Sequence, residues 1–84
     1  MVRLHPRESR AIGAVLSGFR SEAKLTQEEL ADLAGVRRNL IGSIETGRAR
    51  NPKYASIRRV VQACKRSMGE FEERVDKLLA AEVT

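Results

Sequence analysis

The sequence predicts an all-α domain of five short helices, and three observations carry that prediction. Apolar residues recur at helical spacing and nowhere alternate over the roughly four to eight residues that a half-buried strand requires. Two capping boxes, Thr26-Gln27-Glu28-Glu29 and Ser67-Met68-Gly69-Glu70, mark helix starts. Gly35 and Gly47 stand where helical periodicity stops, as residues that turn at positive φ without cost. At 84 residues, 42% hydrophobic and 32% charged, the chain has room for one small domain with its own core.

Residues 1–10 carry no periodicity and include Pro6, so a flexible tail is expected there, ahead of a domain over 11–84. From Ala11 to Glu22, the residues Ile12, Val15, Leu16 and Phe19 fall at i, i+3, i+4 and i+7, one face of a first helix. Thr26 then caps a second helix of about two turns, stapled by Leu25 and Leu30. Its expected inner face is Leu30, Ala31, Leu33 and Ala34. Periodicity resumes after the corner at Gly35, with Leu40, Ile41 and Ile44 turned inward up to Gly47. Asn51-Pro52 is a turn signal, after which Tyr54, Ile57, Val60, Val61 and Cys64 mark a fourth helix. A fifth, expected over about 68–81, carries Phe71, Val75, Leu78 and Leu79 on one side.

Charge is unevenly placed along the chain. The net value is +5, but residues 37–59 hold seven bases and one acid, whereas 25–36 and 69–84 are each acidic on balance. Such a basic block is either solvated surface or a face for a polyanion. Aromatic residues make up only 4%, too few for a platform that stacks unpaired bases. The single cysteine, Cys64, cannot close an intrachain disulfide, and no apolar run has the length of a signal core or a membrane span. A cytoplasmic protein with no membrane association is therefore expected. His5 has no partner at ligand spacing, and no Ser/His or Cys/His pair or Gly-rich phosphate loop is present, so neither enzyme, metal nor cofactor is expected. Glu70, Glu72, Glu73 and Asp76 read as the wet face of the last helix.

The stretch of about 27–46 has the spacing of a helix-turn-helix. Ala31 is small where two helices cross, Gly35 turns, and Ile41 and Ile44 reach back to the core, leaving the second helix held outward for a major groove. Arg37, Arg38, Asn39 and Ser43 then take its solvent side. The chemistry suits base edges: Arg38 can pair bidentately with guanine, Asn39 with adenine, and Ser43 can serve either. Arg37 is divided between base and phosphate.

Four sets of residues at fixed offsets extend this reading: IG..L...R at Ile12 to Arg20, LTQEELA at Leu25 to Ala31, AGV at Ala34 to Val36, and IETGRARNP at Ile44 to Pro52. Together they run without a gap from Ile12 to Phe71 and resemble the Cro and repressor family of phage and bacterial regulators, also named for xenobiotic-response-element repressors and including restriction-modification controllers. The resemblance implies a lambda-repressor-like fold and a sequence-specific, double-stranded DNA-binding transcriptional regulator. It implies that Gln27 donates to a DNA phosphate and that Thr46, Arg48, Arg50, Asn51 and Lys53 run along the sugar-phosphate backbone. It also implies that Arg20 and Glu45 form a structural pair tying the first helix to the end of the recognition helix. Lys24 and Lys65 depart from the family, standing where relatives commonly have Gly, and Arg37 stands where a capping Ser or Thr is common.

A homodimer on a twofold operator is expected, because one recognition helix contacts too few bases to select a site alone. Its seam is expected at Val75, Leu78 and Leu79, with RNA polymerase as a further partner, occluded or recruited, and no small-molecule ligand. Two other readings stay open: a helix-turn-helix antitoxin or protein-binding adaptor, and a duplex binder without sequence preference.

Overall fold

A computed structural model describes residues 4–83, with the side chains of Glu82 and Val83 outside the description. The described residues form five helices and no strand: α1 (Pro6–Glu22), α2 (Gln27–Ala34), α3 (Arg38–Glu45), α4 (Tyr54–Ala63) and α5 (Met68–Val83). The helix α1 packs on α3 and α5, while α2 lies between α3 and α4.

The start of α1 corrects the expected tail, since residues 6–10 are helical. Pro6 takes the first helical position, where its missing N–H has no partner to lose. His5 completes the start: its Nδ1 accepts the Arg7 N–H at 3.1 Å, and its own N–H donates to the Glu8 carboxylate at 3.1 Å. This is a capping box with His in the place of Ser or Thr, a substitution that the usual pattern does not anticipate. The part of the tail expectation that falls on residues 1–3 lies outside the described residues.

At the next two helix boundaries the backbone follows the sequence closely. Thr26 Oγ1 accepts the Glu29 N–H at 3.0 Å, and Glu29 returns a contact to the Thr26 N–H at 2.8 Å. Gly35 ends α2 at φ 71°, in the left-handed region. Lys24 and Lys65 adopt that region too, at φ 59° and 60°, so both corners keep a glycine-like turn at a side-chain cost of about 1 kcal/mol each.

The core joins all five helices through Leu16, Phe19, Leu30, Ile41, Ile44, Val60, Val61 and Phe71. Leu33 and Tyr54, expected on inner faces, are instead 64% and 65% exposed. At ~100° per residue the buried face of α2 centres between Leu30, Ala31 and Ala34, which puts Leu33 about a third of a turn away. Tyr54 is the first residue of α4 and lies beyond the edge of the core.

One contact fixes the approach of α1 to α3, and a second group of contacts joins α1 to α5. A Cβ on Gly13 would run into the main-chain oxygens of Ile44 and Glu45, so α1 and α3 cross backbone to backbone. On the other side of α1, Phe19 is fully buried beneath two guanidinium groups, Arg66 at 5.2 Å and Arg74 at 4.8 Å from the ring centre. Both arginines pair with Glu22, and Arg66 also reaches Glu70. Arg74 beside it holds the Glu22 carboxyl below the ordinary glutamate range, and Arg66 does the same to Glu70.

Candidate nucleic-acid interface

The candidate surface starts from the amphipathic division of α3. Ile41 and Ile44 are buried and Leu40 is partly buried against the core, which turns Arg38 and Asn39 to solvent. Ser43, one turn further on, is half-buried at the rim. Arg38, Asn39, Gly42, Ser43, Thr46, Arg48 and Gln27 line one open concavity of about 580 Å³. None of these seven is a carboxylate, and two are guanidinium groups. Gly42 was not singled out from the sequence, although its place at i+4 from Arg38 and i+3 from Asn39 puts it on the same face. A Cβ there would meet nothing within 4 Å, so packing within the chain does not itself demand glycine at this position.

Arg37 precedes the helix as its N-cap and makes no side-chain cap hydrogen bond. It is exposed but does not line the concavity. Arg37 supplies no capping oxygen, so the first-turn amides of α3 receive no side-chain cap from it.

The structure brings Arg20, Gln27 and Glu45 to one point. Arg20 Nε donates to Glu45 Oε2 at 2.7 Å and Nη2 to Oε1 at 3.0 Å, a bidentate pair between α1 and α3. Arg20 Nη1 donates to the Leu25 carbonyl at 2.9 Å, and Gln27 Nε2 donates to Glu45 Oε1 at 3.0 Å. One carboxylate therefore ties the end of α1, the start of α2 and the end of α3. The Glu45 hydrogen bond raises the Arg20 guanidinium further above its ordinary range. Gln27 keeps a second amide hydrogen, and Glu45 decides which way it points.

Beyond α3 the basic loop is more tightly held than its composition suggests. The Thr46 hydroxyl donates to the Gly42 carbonyl at 2.8 Å and accepts Arg48 Nε at 3.2 Å. Gly47 turns at φ 76° against the Arg10 side chain and main chain. Arg50 Nε donates to the Leu4 carbonyl at 3.0 Å, and the Leu4 N–H donates to the Arg50 carbonyl at 2.8 Å. Asn51 and Lys53 are exposed, Lys53 as the N-cap of α4. Arg37, Arg50, Asn51 and Lys53 thus lie outside the concavity that gathers the other candidates.

On α5, Val75 is partly buried against the core, Leu79 is half-buried, and Leu78 is 40% exposed. Among the described residues no cluster of His, Cys, Asp and Glu could hold a metal ion, and no helix is long and apolar enough to cross a membrane. Burial pushes the Cys64 thiol up from its ordinary range.

Comparison with known proteins bears on the fold and the family. No curated protein sequence matches the chain. Among solved structures, the clp gene regulator ClgR from Corynebacterium glutamicum superposes with a TM-score of 0.83 at 24% identity, covering 90% of this chain and 80% of that one. That identity speaks for the fold alone. The restriction-modification controller protein C.Esp1396I superposes at 0.79 with 26% identity, covering 87% and 95%. A tetramer of that controller bound to its natural 35 base-pair operator gives 0.78 at 26% identity, with 87% and 95% covered. The helix-turn-helix domain family matches residues 11–74, most of the chain. The chain belongs to the helix-turn-helix domain family.

Proposed function

We propose that this chain, a non-enzymatic helix-turn-helix regulator that binds DNA, selects its site by laying α3 in the major groove of a duplex. Arg38, Asn39 and Ser43 meet base edges, with Arg37 at the mouth of the groove between base and phosphate. Gln27, Thr46, Arg48, Asn51 and Lys53 follow the sugar-phosphate backbone and supply affinity and its salt dependence. The observation that carries this reading is the gathering of Arg38, Asn39, Ser43, Gln27 and Arg48 on one concave, carboxylate-free surface. Gly42 lines the same surface.

A single α3 covers too few base pairs for a unique site, so the working unit is a homodimer on a twofold operator, with half-sites about one helical turn apart. The seam runs along α5 through Leu78 and Leu79, because Leu78 is 40% exposed and Val75 is already engaged by the core. Operator occupancy by this dimer occludes or recruits RNA polymerase in the cytoplasm. The solved operator complex of C.Esp1396I, a protein of the same fold at 26% identity, supports the assignment.

The test separates positioning from reading. Arg38→Ala and Asn39→Ala should each weaken binding to the preferred duplex by about 1–3 kcal/mol and relax preference at one base pair. Lys53→Ala should weaken every duplex alike and reduce the salt slope by about one unit. Equal losses from all three variants on every sequence would overturn the division of roles.

A further inference from the structure

We propose that the N-terminal segment is a positioning clamp for the DNA-facing loop, and that Arg50 belongs to this clamp and not to the phosphate contacts. The inference rests on the DNA-binding reading above and assigns Leu4, His5, Arg10 and Arg50 a role within it. Leu4 and Arg50 exchange two hydrogen bonds across 46 positions of sequence: the Leu4 N–H to the Arg50 carbonyl at 2.8 Å, and Arg50 Nε to the Leu4 carbonyl at 3.0 Å. The first is backbone to backbone, and the second spends the guanidinium's inner nitrogen, so both the path of the loop and the direction of the side chain are set by Leu4. Leu4 is itself fixed, because the next residue is the doubly bonded cap of α1.

A second contact reaches the same loop three residues earlier. At Gly47, which turns at φ 76°, a Cβ would come within 3.0 Å of Arg10 Cγ and 3.3 Å of Arg10 Cα, so the loop leaves α3 flush against α1. Between these two anchors lie Arg48 and Ala49, whose N–H groups both donate to the Ser43 carbonyl at 3.0 Å. Arg48, part of the concave surface, is therefore held from both sides. A cation pre-set toward a phosphate loses less freedom on binding than one on a free loop, so the clamp acts on affinity without adding a contact.

The experiment uses the full chain with four variants, Arg50→Ala, Leu4→Pro, Leu4→Ala and the double variant Arg50→Ala with Leu4→Pro. Leu4→Pro removes the donated N–H, and Leu4→Ala removes only the side chain. Duplex affinity is measured across salt concentrations, and amide exchange of Arg48 and Ala49 is measured without DNA. The clamp requires Arg50→Ala and Leu4→Pro each to weaken binding by roughly 3–10-fold with an unchanged salt slope. It requires the double variant to be no weaker than the weaker single, Leu4→Ala to bind better than Leu4→Pro, and the two amides to exchange faster in both clamp variants.

A slope reduced by about one unit in Arg50→Ala, with Leu4→Pro binding normally, would make Arg50 a phosphate contact and overturn the proposal. Unchanged exchange of Arg48 and Ala49 would overturn it without reference to DNA. Failure of the unmodified chain to bind any duplex would instead sink the reading on which the clamp rests, while faster exchange in the variants would still show the clamp.

Discussion

Glu45 is the residue on which the interface turns. Its side chain is only 7% exposed and accepts from Arg20 twice and from Gln27 once, so it settles the relative placement of three helices. Removing one partner of such a pair leaves the other charge poorly solvated, and Glu45→Ala is expected to cost about 2–4 kcal/mol by denaturant titration, with a parallel loss of DNA affinity. Ser9 is the opposite case: it is 2% exposed and its hydroxyl has no hydrogen-bond partner among the described residues. Ser9→Ala should leave stability unchanged or raise it by up to about 1 kcal/mol, since it removes a buried polar group without removing a bond. Much at this scale was legible in the sequence. Arg38 and Asn39 stand at spacings that reveal their outward face, and the family resemblance implied the pair of Arg20 and Glu45 that the structure shows. Gln27's tie to Glu45 and Arg50's tie to Leu4 were not legible, because side-chain partners far apart in sequence leave no periodic trace.

The helices themselves were readable where local chemistry and packing agree. The second helix shows this: a capping box opens it and a left-handed glycine closes it, as its residues demand. The error at Leu33 came from treating every apolar residue of a short helix as inward. Three small or medium side chains, Leu30, Ala31 and Ala34, already fill the contact. The missed first turn of α1 had a signal, Pro6 followed by Glu8 at the third helical position, but His in the cap hid it. At the crossing of α1 and α3, Gly13→Ala should displace α3 or separate the helices, at about 1–3 kcal/mol in stability and with weaker DNA binding. At the following corner, Lys24→Gly should raise stability by about 0.5–1 kcal/mol, because the φ of 59° costs glycine nothing. Thermal unfolding of the two variants checks both directions.

For the whole molecule, the distribution of charge makes one functional side. The basic stretch of 37–59 takes in α3 and its following loop, while Glu70 and Glu73 of α5 pair with Arg66 and Lys77 and Glu72 and Asp76 are exposed, so the proposed recognition helix lies on the side that attracts a polyanion. The Glu22 cluster closes the α1 and α5 interface behind that side. Because the folded Glu22 carboxyl lies below the ordinary value of 4.5, its contribution is fully present above that value and is lost as pH falls below it. Glu22→Gln should therefore flatten the loss of stability between neutral pH and acid, as seen in unfolding curves across pH. In the proposed dimer, Leu78→Glu should raise the monomer fraction in sedimentation while leaving the melting temperature near that of the unmodified chain, because Leu78 is outside the core. The central claim is that the exposed side of α3 reads a base sequence twice, once per subunit. Selection of bound duplexes from a random pool at about 150 mM salt tests it most directly. The expected result is an enriched inverted repeat with half-sites about one helical turn apart. A pool that stays random, with binding gone at that salt, would contradict it and leave only the attraction of a basic surface for DNA.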